Sequence, residues 1–185
     1  TQLQRLPIFE TCAGRSAQLV SLDVPGGRFI FPPSSCAGLF DPKDDSRFLK
    51  HKEQFLPLYL ALGVQMLTEA DVLGRFLLPT MDSADDKDRA EQIRFIRKNW
   101  DRNLSNNPQF IDQLKQVSFV AVADGRTARA SELFHPEQPV FAQIFQNDPV
   151  FPAAEFQDPD WLAILEKLGL RQDIDAPLFL HCANR

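Results

Sequence analysis

The chain has 185 residues, of which 44% are apolar and 24% are charged, and its formal net charge is −5 at pH 7. This composition excludes a disordered protein, and the acidic balance argues against nucleic acid or an anionic membrane as a partner. No apolar run approaches the ~20 residues of a membrane span. The length suits one domain, or two small halves that share a core.

The first half predicts a hairpin, a strand and a short helix. Its predicted elements are a strand at 6–11, a turn at Gly14, a strand at 18–22, a turn at 24–27, a strand at 28–31, a polar surface stretch at 40–53 and a helix at 55–62. Pro32 should end the third strand because proline donates no ladder hydrogen bond. Pro57 suits the first turn of the helix, and Gly63 its end.

The middle of the chain predicts three helices. Thr68 should cap the first, with Asp71 three residues on, and Pro79 should end it. The longest helix, 83–104, is acidic at its start and basic at its end, as the helix dipole favours. Its predicted apolar stripe consists of Ala90, Ile93, Ile96 or Arg97, Trp100 and Leu104. Pro108 should open a short third helix whose inward residues are Phe110, Ile111 and Leu114.

The second half repeats the hairpin and helix signals. Its predicted elements are strands at 118–123 and 126–130 around Gly125, turns packed by phenylalanines at 132–156, a helix from Asp158 to Gly169 and a final helix capped by Asp175. The 16 Phe, against 1 Tyr and 2 Trp, should fill the core because phenylalanine has no polar tip. We expect Trp100 and Trp161 to be buried.

The two halves therefore carry the same order of turns and helix ends. Gly125 lies 111 residues after Gly14, and Gly169 lies 106 residues after Gly63. We predict an α+β fold of short β-hairpins with segregated short helices, one long central helix and two weakly similar halves. The predicted division is half-repeat A at 1–82, a helical connector at 83–116 and half-repeat B at 117–185, within a single domain fragment.

Residues that could perform chemistry are scattered. The cysteines and histidines are Cys12, Cys36, Cys182, His51, His135 and His181, and no Cys-x-x-Cys or His-x-x-x-His pair preassembles a metal site. His181 and Cys182 are adjacent, so on a helix they point about 100° apart and form no dyad. Two alternatives stay open: a small thiol-dependent hydrolase, or a metal-binding module using these residues.

The acidic clusters and glycines are explained by structure. The carboxylates at 41–45, 82–88 and 158–160 lie in loops or at helix starts, where capping and solvation account for them. No Gly-rich phosphate loop or Gly-x-Ser-x-Gly elbow is present. We therefore expect no enzymatic activity, no catalytic, cofactor-binding or metal-binding residues and no cofactor. We also expect that the chain does not bind ATP.

Both halves resemble the repeat region of the sacsin family. The most specific phrase is Ser131-Glu132-Leu133-Phe134 followed by Pro136, and further resemblance lies in Phe151-Pro152, in Trp161-Leu162, in Leu168-Gly169-Leu170-Arg171, and in Leu6 to Glu10, Leu62 to Val64 and Phe76 to Pro79 of the first half. The resemblance covers nearly the whole chain, and its motifs are turn and core residues.

The resemblance implies a piece of a very large cytoplasmic co-chaperone of protein quality control, which carries Hsp90-like ATPase modules. Such proteins engage the Hsp70 system and organise intermediate filaments and mitochondria, so the resemblance implies a cytoplasmic localisation and an association with mitochondria. The ATP-binding motifs of the Hsp90-like module are absent from this sequence. The expected role is a non-enzymatic scaffold that contacts protein clients or neighbouring domains. Thr1 in place of Met suggests a piece of a longer chain, and we expect a monomer.

Overall fold

The computed structural model describes residues 2–19, 29–30, 36, 39, 47–50, 52–145 and 149–173. These residues form short helices and small sheets, so the predicted α+β class is confirmed. The chain divides into two compact units, residues 1–76 and 77–185. The three-part division at residues 82 and 116 stays a prediction. The turn at 24–27 and the helix capped by Asp175 lie outside the described residues.

The first unit contains a β-hairpin, a small parallel sheet and two short helices. Its elements are β1 (Phe9–Glu10), β2 (Ser16–Ala17), β3 (Phe29–Ile30), β4 (Phe48–Leu49), α1 (Leu56–Ala61), β5 (Gln65–Met66) and α2 (Glu69–Val72). Strands β1 and β2 are antiparallel, whereas β3 lies between β4 and β5 and is parallel to both. The amide of Lys50 donates to the carbonyl of Glu10 at 2.8 Å, which joins β4 to the hairpin.

Two predictions for this unit were wrong. Strand β2 occupies Ser16–Ala17, ahead of the predicted start at Gln18, because the turn closes early: the Thr11 amide donates to the Arg15 carbonyl at 2.8 Å, and Gly14 has a φ of 76°. The predicted polar surface stretch at 40–53 contains the fully buried strand β4. The apolar pair Phe48 and Leu49 is buried there because β4 pairs with a strand remote in sequence.

The start of α2 is as predicted, but its end is not. The Thr68 hydroxyl accepts the Asp71 amide, and the Asp71 carboxylate accepts the Thr68 amide, which completes a capping box. After Val72 the backbone continues as a π-helical turn at Leu73–Leu77 and a 3-10 helix at Leu78–Ser83. Pro79 therefore does not end the helical segment, because it lies in the first turn of the 3-10 helix, where its missing N–H is tolerated.

The second unit is mainly helical, with one hairpin. Its elements are α3 (Asp86–Asn99), α4 (Pro108–Leu114), β6 (Val120–Ala121), β7 (Thr127–Ala128), α5 (Pro139–Ile144) and α6 (Pro159–Lys167). Helices α3, α4 and α6 each begin after a side-chain cap, supplied by Asp85, Asn107 and Asp158 respectively. The predicted long central helix is confirmed, and it continues as a π-helical turn at Trp100–Leu104.

The buried face of α3 differs from the predicted stripe. Ala90 is exposed, whereas Gln92 and Asn99 are buried together with Ile96 and Trp100. The π-helical turn after Asn99 inserts an extra residue into the helical period, so the buried face upstream is rotated from that of an ideal helix. Gln92 is buried at a cost, since its Oε1 atom has no hydrogen-bond partner within the described part of the chain.

Phenylalanines pack the irregular segment between β7 and α6, as predicted. Phe134 contacts Phe141 and Phe145 with ring centroids 4.7 and 4.9 Å apart, and all three are buried. Phe156 instead packs on Trp161 at 4.9 Å, and Trp100 and Trp161 are both buried. The segment therefore keeps a core of its own although it contains little regular structure.

The predicted similarity of the halves extends to individual backbone hydrogen bonds. We name residues 8–66 copy A and residues 119–171 copy B, and each lies within its own unit. Four backbone bonds of copy A recur in copy B. At the hairpins, Thr11 N to Arg15 O matches Val122 N to Arg126 O, and Lys50 N to Glu10 O matches Ala153 N to Ala121 O. At the helix ends, Gly63 N to Leu60 O matches Gly169 N to Glu166 O, and Val64 N to Tyr59 O matches Leu170 N to Leu165 O. Gly14 matches Gly125 in the hairpins, and Gly63 matches Gly169 at the helix ends, as predicted.

Gly169 ends α6 in a Schellman motif and has a φ of 103°. Gly169→Ala is expected to lower the free energy of unfolding by about 1 kcal/mol, because a Cβ is disfavoured at positive φ. The added Cβ would lie 3.5 Å from the Ser131 Cβ, an ordinary contact, so the cost arises in the backbone. Urea denaturation measures it, with Gly169→Asn as a milder control since asparagine tolerates this conformation. An unchanged midpoint for the alanine variant would contradict the assignment.

Candidate protein-interaction groove

The first unit keeps three large apolar side chains exposed around one groove. Ile8, Phe55 and Leu58 are 59%, 39% and 41% exposed, and they line a cavity of about 440 Å³. The floor includes Phe9 and Tyr59, which are buried and whose ring centroids lie 6.2 Å apart. Burial raises the pKa of the Tyr59 hydroxyl, so this side chain stays neutral at physiological pH. The groove therefore presents apolar side chains over a packed aromatic floor.

The sequence of α1 explains why apolar residues remain exposed. The helix and its C-terminal cap carry leucine at every second position, from Leu56 to Leu62, with Tyr59 between them. A helix that is apolar on all sides is normally covered on all sides. Tyr59 faces the core cluster that includes Phe9, whereas Leu58 and Leu60 remain exposed on the surface of the helix. This all-round apolar pattern is the sequence signal for the groove, which the sequence analysis missed.

A charged cluster lies at one edge of the groove. The Glu10 carboxylate accepts hydrogen bonds from Lys50 Nζ at 2.8 Å and from Lys52 Nζ at 2.7 Å. The bond from Lys50, followed by that from Lys52, lowers the pKa of Glu10 from its ordinary value of 4.5 to about 2. Two lysines against one glutamate leave one positive charge here, and Lys52 lines the groove.

The pKa of Glu10 predicts a specific response to acid. Because the folded value lies below the ordinary one, the ion pairs stabilise the fold fully above pH 4.5, and this contribution is lost as the pH falls toward about 2. A carboxyl NMR titration at low salt should give a Glu10 midpoint near 2, and 1 M salt should raise it by screening. Glu10→Gln should remove this part of the acid sensitivity. A midpoint near 4.5 at low salt would contradict the geometry.

Three of the candidate cysteines and histidines lie within the described residues. The Cys12 thiol donates to the Leu49 carbonyl at 3.4 Å in the first unit, where Cys36 is buried. His135 is buried in the second unit, where its Nδ1 accepts the Glu137 amide at 3.2 Å and its Nε2 lies 3.3 Å from Glu166 Oε1. The remaining candidates, His51, His181 and Cys182, lie outside the described residues.

The acidic clusters act mainly at helix starts. Asp85 and Asp158 accept backbone amides as helix caps, and the carboxylates at 41–45 lie outside the described residues. Within the described ranges, no group of three His, Cys, Asp or Glu residues is arranged to hold a metal ion. None of the described helices is long and apolar enough to cross a membrane.

Comparisons with known proteins give one partial similarity. Sacsin from Homo sapiens is 27% identical to this chain over 81 residues, which is 43% of the chain and 2% of sacsin. No family model and no solved structure matches the chain. Less than half of the chain is therefore similar to a small part of sacsin, which supports in part the resemblance carried by its turn and core residues.

Proposed function

We propose that this chain is a non-enzymatic structural and protein-interaction module from the repeat region of a large sacsin-like co-chaperone. The groove formed by Ile8, Phe55 and Leu58 carries this proposal, because contiguous exposed apolar surface above a packed floor is typical of sites that bind other proteins. The similarity to sacsin supports the setting, a cytoplasmic protein of quality control.

The absence of catalysis is part of the proposal. A thiol or hydroxyl nucleophile is usually activated by a base within hydrogen-bond reach. The Cys12 thiol instead donates to a backbone carbonyl, and the buried His135 accepts a backbone amide. These contacts support structural roles for both residues. In a sacsin-like protein, ATP-driven steps and the contact with Hsp70 would belong to other modules, and this one would hold clients or neighbouring domains.

Binding of an unfolded protein tests the groove. Fluorescently labelled, reduced α-lactalbumin is titrated with the chain, and fluorescence anisotropy measures the affinity. Leu58→Asp should weaken binding at least about tenfold, since a charge replaces an apolar contact at the centre of the site. The matched control is Leu60→Asp, because Leu60 lies on the same helix and is 53% exposed but does not line the groove.

The outcomes distinguish binding in the groove from nonspecific hydrophobic binding. The Leu60→Asp variant should bind like the parent chain, and circular dichroism should show that both variants keep the parent fold. Equal weakening by the two substitutions would show that nonspecific hydrophobicity drives binding. No binding by the parent chain at 100-fold excess over the labelled protein would contradict the proposed function.

A further inference from the structure

The groove of copy A has a counterpart in copy B that is closed. The two offsets between the copies pair the groove residues as Ile8 with Phe119, Phe55 with Trp161 and Leu58 with Ile164. In copy B these three positions are only 1%, 4% and 2% exposed. The same three sites are thus apolar in both copies, but they reach solvent only in copy A.

Helix α3 packs beside these positions in copy B. It contacts α6, and Arg97 Nη2 of α3 lies 2.9 Å from Asp158 Oδ1 and 3.2 Å from Asp160 Oδ2 at the start of α6. At the other end of α6, the Lys167 ammonium lies 5.9 Å from the centre of the Trp100 ring. In copy B, α6 is therefore joined to the neighbouring helix α3 by an ion pair.

The charge at the position of Asp158 is reversed in copy A. The 106-residue offset that aligns Gly63 with Gly169 places Lys52 at the position of Asp158. In copy B the acidic residue is paired with a basic residue of the neighbouring helix α3, Arg97. In copy A the basic residue lines the open groove and is held there by Glu10 at 2.7 Å. Charge complementarity then requires an acidic residue on any helix that covers copy A in the same way.

We propose that the groove of copy A is the docking site of an amphipathic α-helix that carries an acidic residue beside its apolar stripe, and that this acid contacts Lys52. The proposal rests on the proposed function of the groove and names the class of its partner. The apolar stripe of the helix covers Ile8, Phe55 and Leu58, as the surroundings of α6 cover their counterparts. The acid joins Lys52 and Glu10 in a charged network at the edge of the groove.

A pair of peptides based on α3 tests this partner class. The probe is a fluorescent peptide of residues 85–105, held helical by a lactam between Lys87 and Glu91, because most helical stability in proteins comes from tertiary packing that an isolated peptide lacks. Its Arg97→Glu variant carries the acid that copy A requires. The variant peptide should bind the chain at least tenfold more tightly than the parent peptide. On Lys52→Glu protein this preference should reverse, and on Lys52→Gln protein it should vanish.

Protein variants distinguish docking in the groove from binding elsewhere. The Leu58→Asp substitution in the protein should weaken its binding of the Arg97→Glu peptide at least tenfold, whereas Leu60→Asp should leave this binding unchanged. If the peptide binds with the same affinity after substitution of Leu58 and Lys52, the proposal is overturned, because a peptide that replaces α3 in copy B would behave in this way. The proposal is also overturned if neither helical peptide binds. If the peptides fail while α-lactalbumin still binds through Leu58, the helical partner is refuted and the proposed function stands. If neither the peptides nor α-lactalbumin bind, the helical partner and the proposed function are both refuted.

Discussion

Replacing Trp161 with alanine is expected to lower the free energy of unfolding by about 3–5 kcal/mol. The indole is buried, and its ring lies 4.9 Å from that of Phe156 and 6.3 Å from that of Phe119. Removing it leaves a cavity beside the rings of Phe119 and Phe156. A loss of this size is a large fraction of the 5–15 kcal/mol of a typical domain.

Urea denaturation followed by circular dichroism measures the loss, because tryptophan fluorescence changes with the substitution itself. Trp161→Phe is the control, and it should retain most of the stability because it keeps an aromatic ring in the site. A Trp161→Ala chain that unfolds within about 1 kcal/mol of the parent would show that the residue is not a core anchor.

Phe134→Ala is the second large effect, also expected at about 3–5 kcal/mol. The Phe134 ring lies between those of Phe141 and Phe145, and the Arg171 guanidinium lies 5.5 Å from its centre. Its backbone also forms a parallel bridge to Arg171. The substitution therefore removes the ring that joins three neighbours in a segment with little regular structure.

Phe151→Ala serves as the matched control for Phe134→Ala. Phe151 packs against the same cluster but is only partly buried, so its loss should cost clearly less. Both variants are compared by urea denaturation at equal protein concentration. Equal losses, or a smaller loss at Phe134, would contradict its central position in the cluster.

Local signals in the sequence correctly predicted several turns and helix ends of the fold. Thr68 and Asp158 cap helices, and Gly125 and Gly169 have positive φ, because these roles depend on residues within four positions of each other. Within the phrase from Ser131 to Phe134, which is the most specific part of the family resemblance, Leu133 and Phe134 are buried. The sequence therefore predicted the similarity of the halves from turns and helix ends alone.

Features that depend on remote residues could not be predicted. The parallel pairing of β3 with β4 and β5 joins segments that are remote in sequence, so the burial of Phe48 was missed although the strand at 28–31 was predicted. The exposure of these strands is likewise set by residues that are neighbours in space but remote in sequence. For the groove, the sequence showed that α1 is apolar on all sides, but only the coordinates show that Leu58 remains uncovered while Ile164 does not.

Methyl NMR during the addition of reduced α-lactalbumin tests most directly whether the groove is the binding site. The chain is labelled at isoleucine, leucine and valine methyl groups, and the signals are assigned by substitution. The account predicts that the signals of Ile8 and Leu58 shift or broaden first, while those of Leu60 and Val140, which are exposed outside the groove, stay unchanged. Changes spread over all exposed methyl groups, or confined to residues outside the groove, would contradict it.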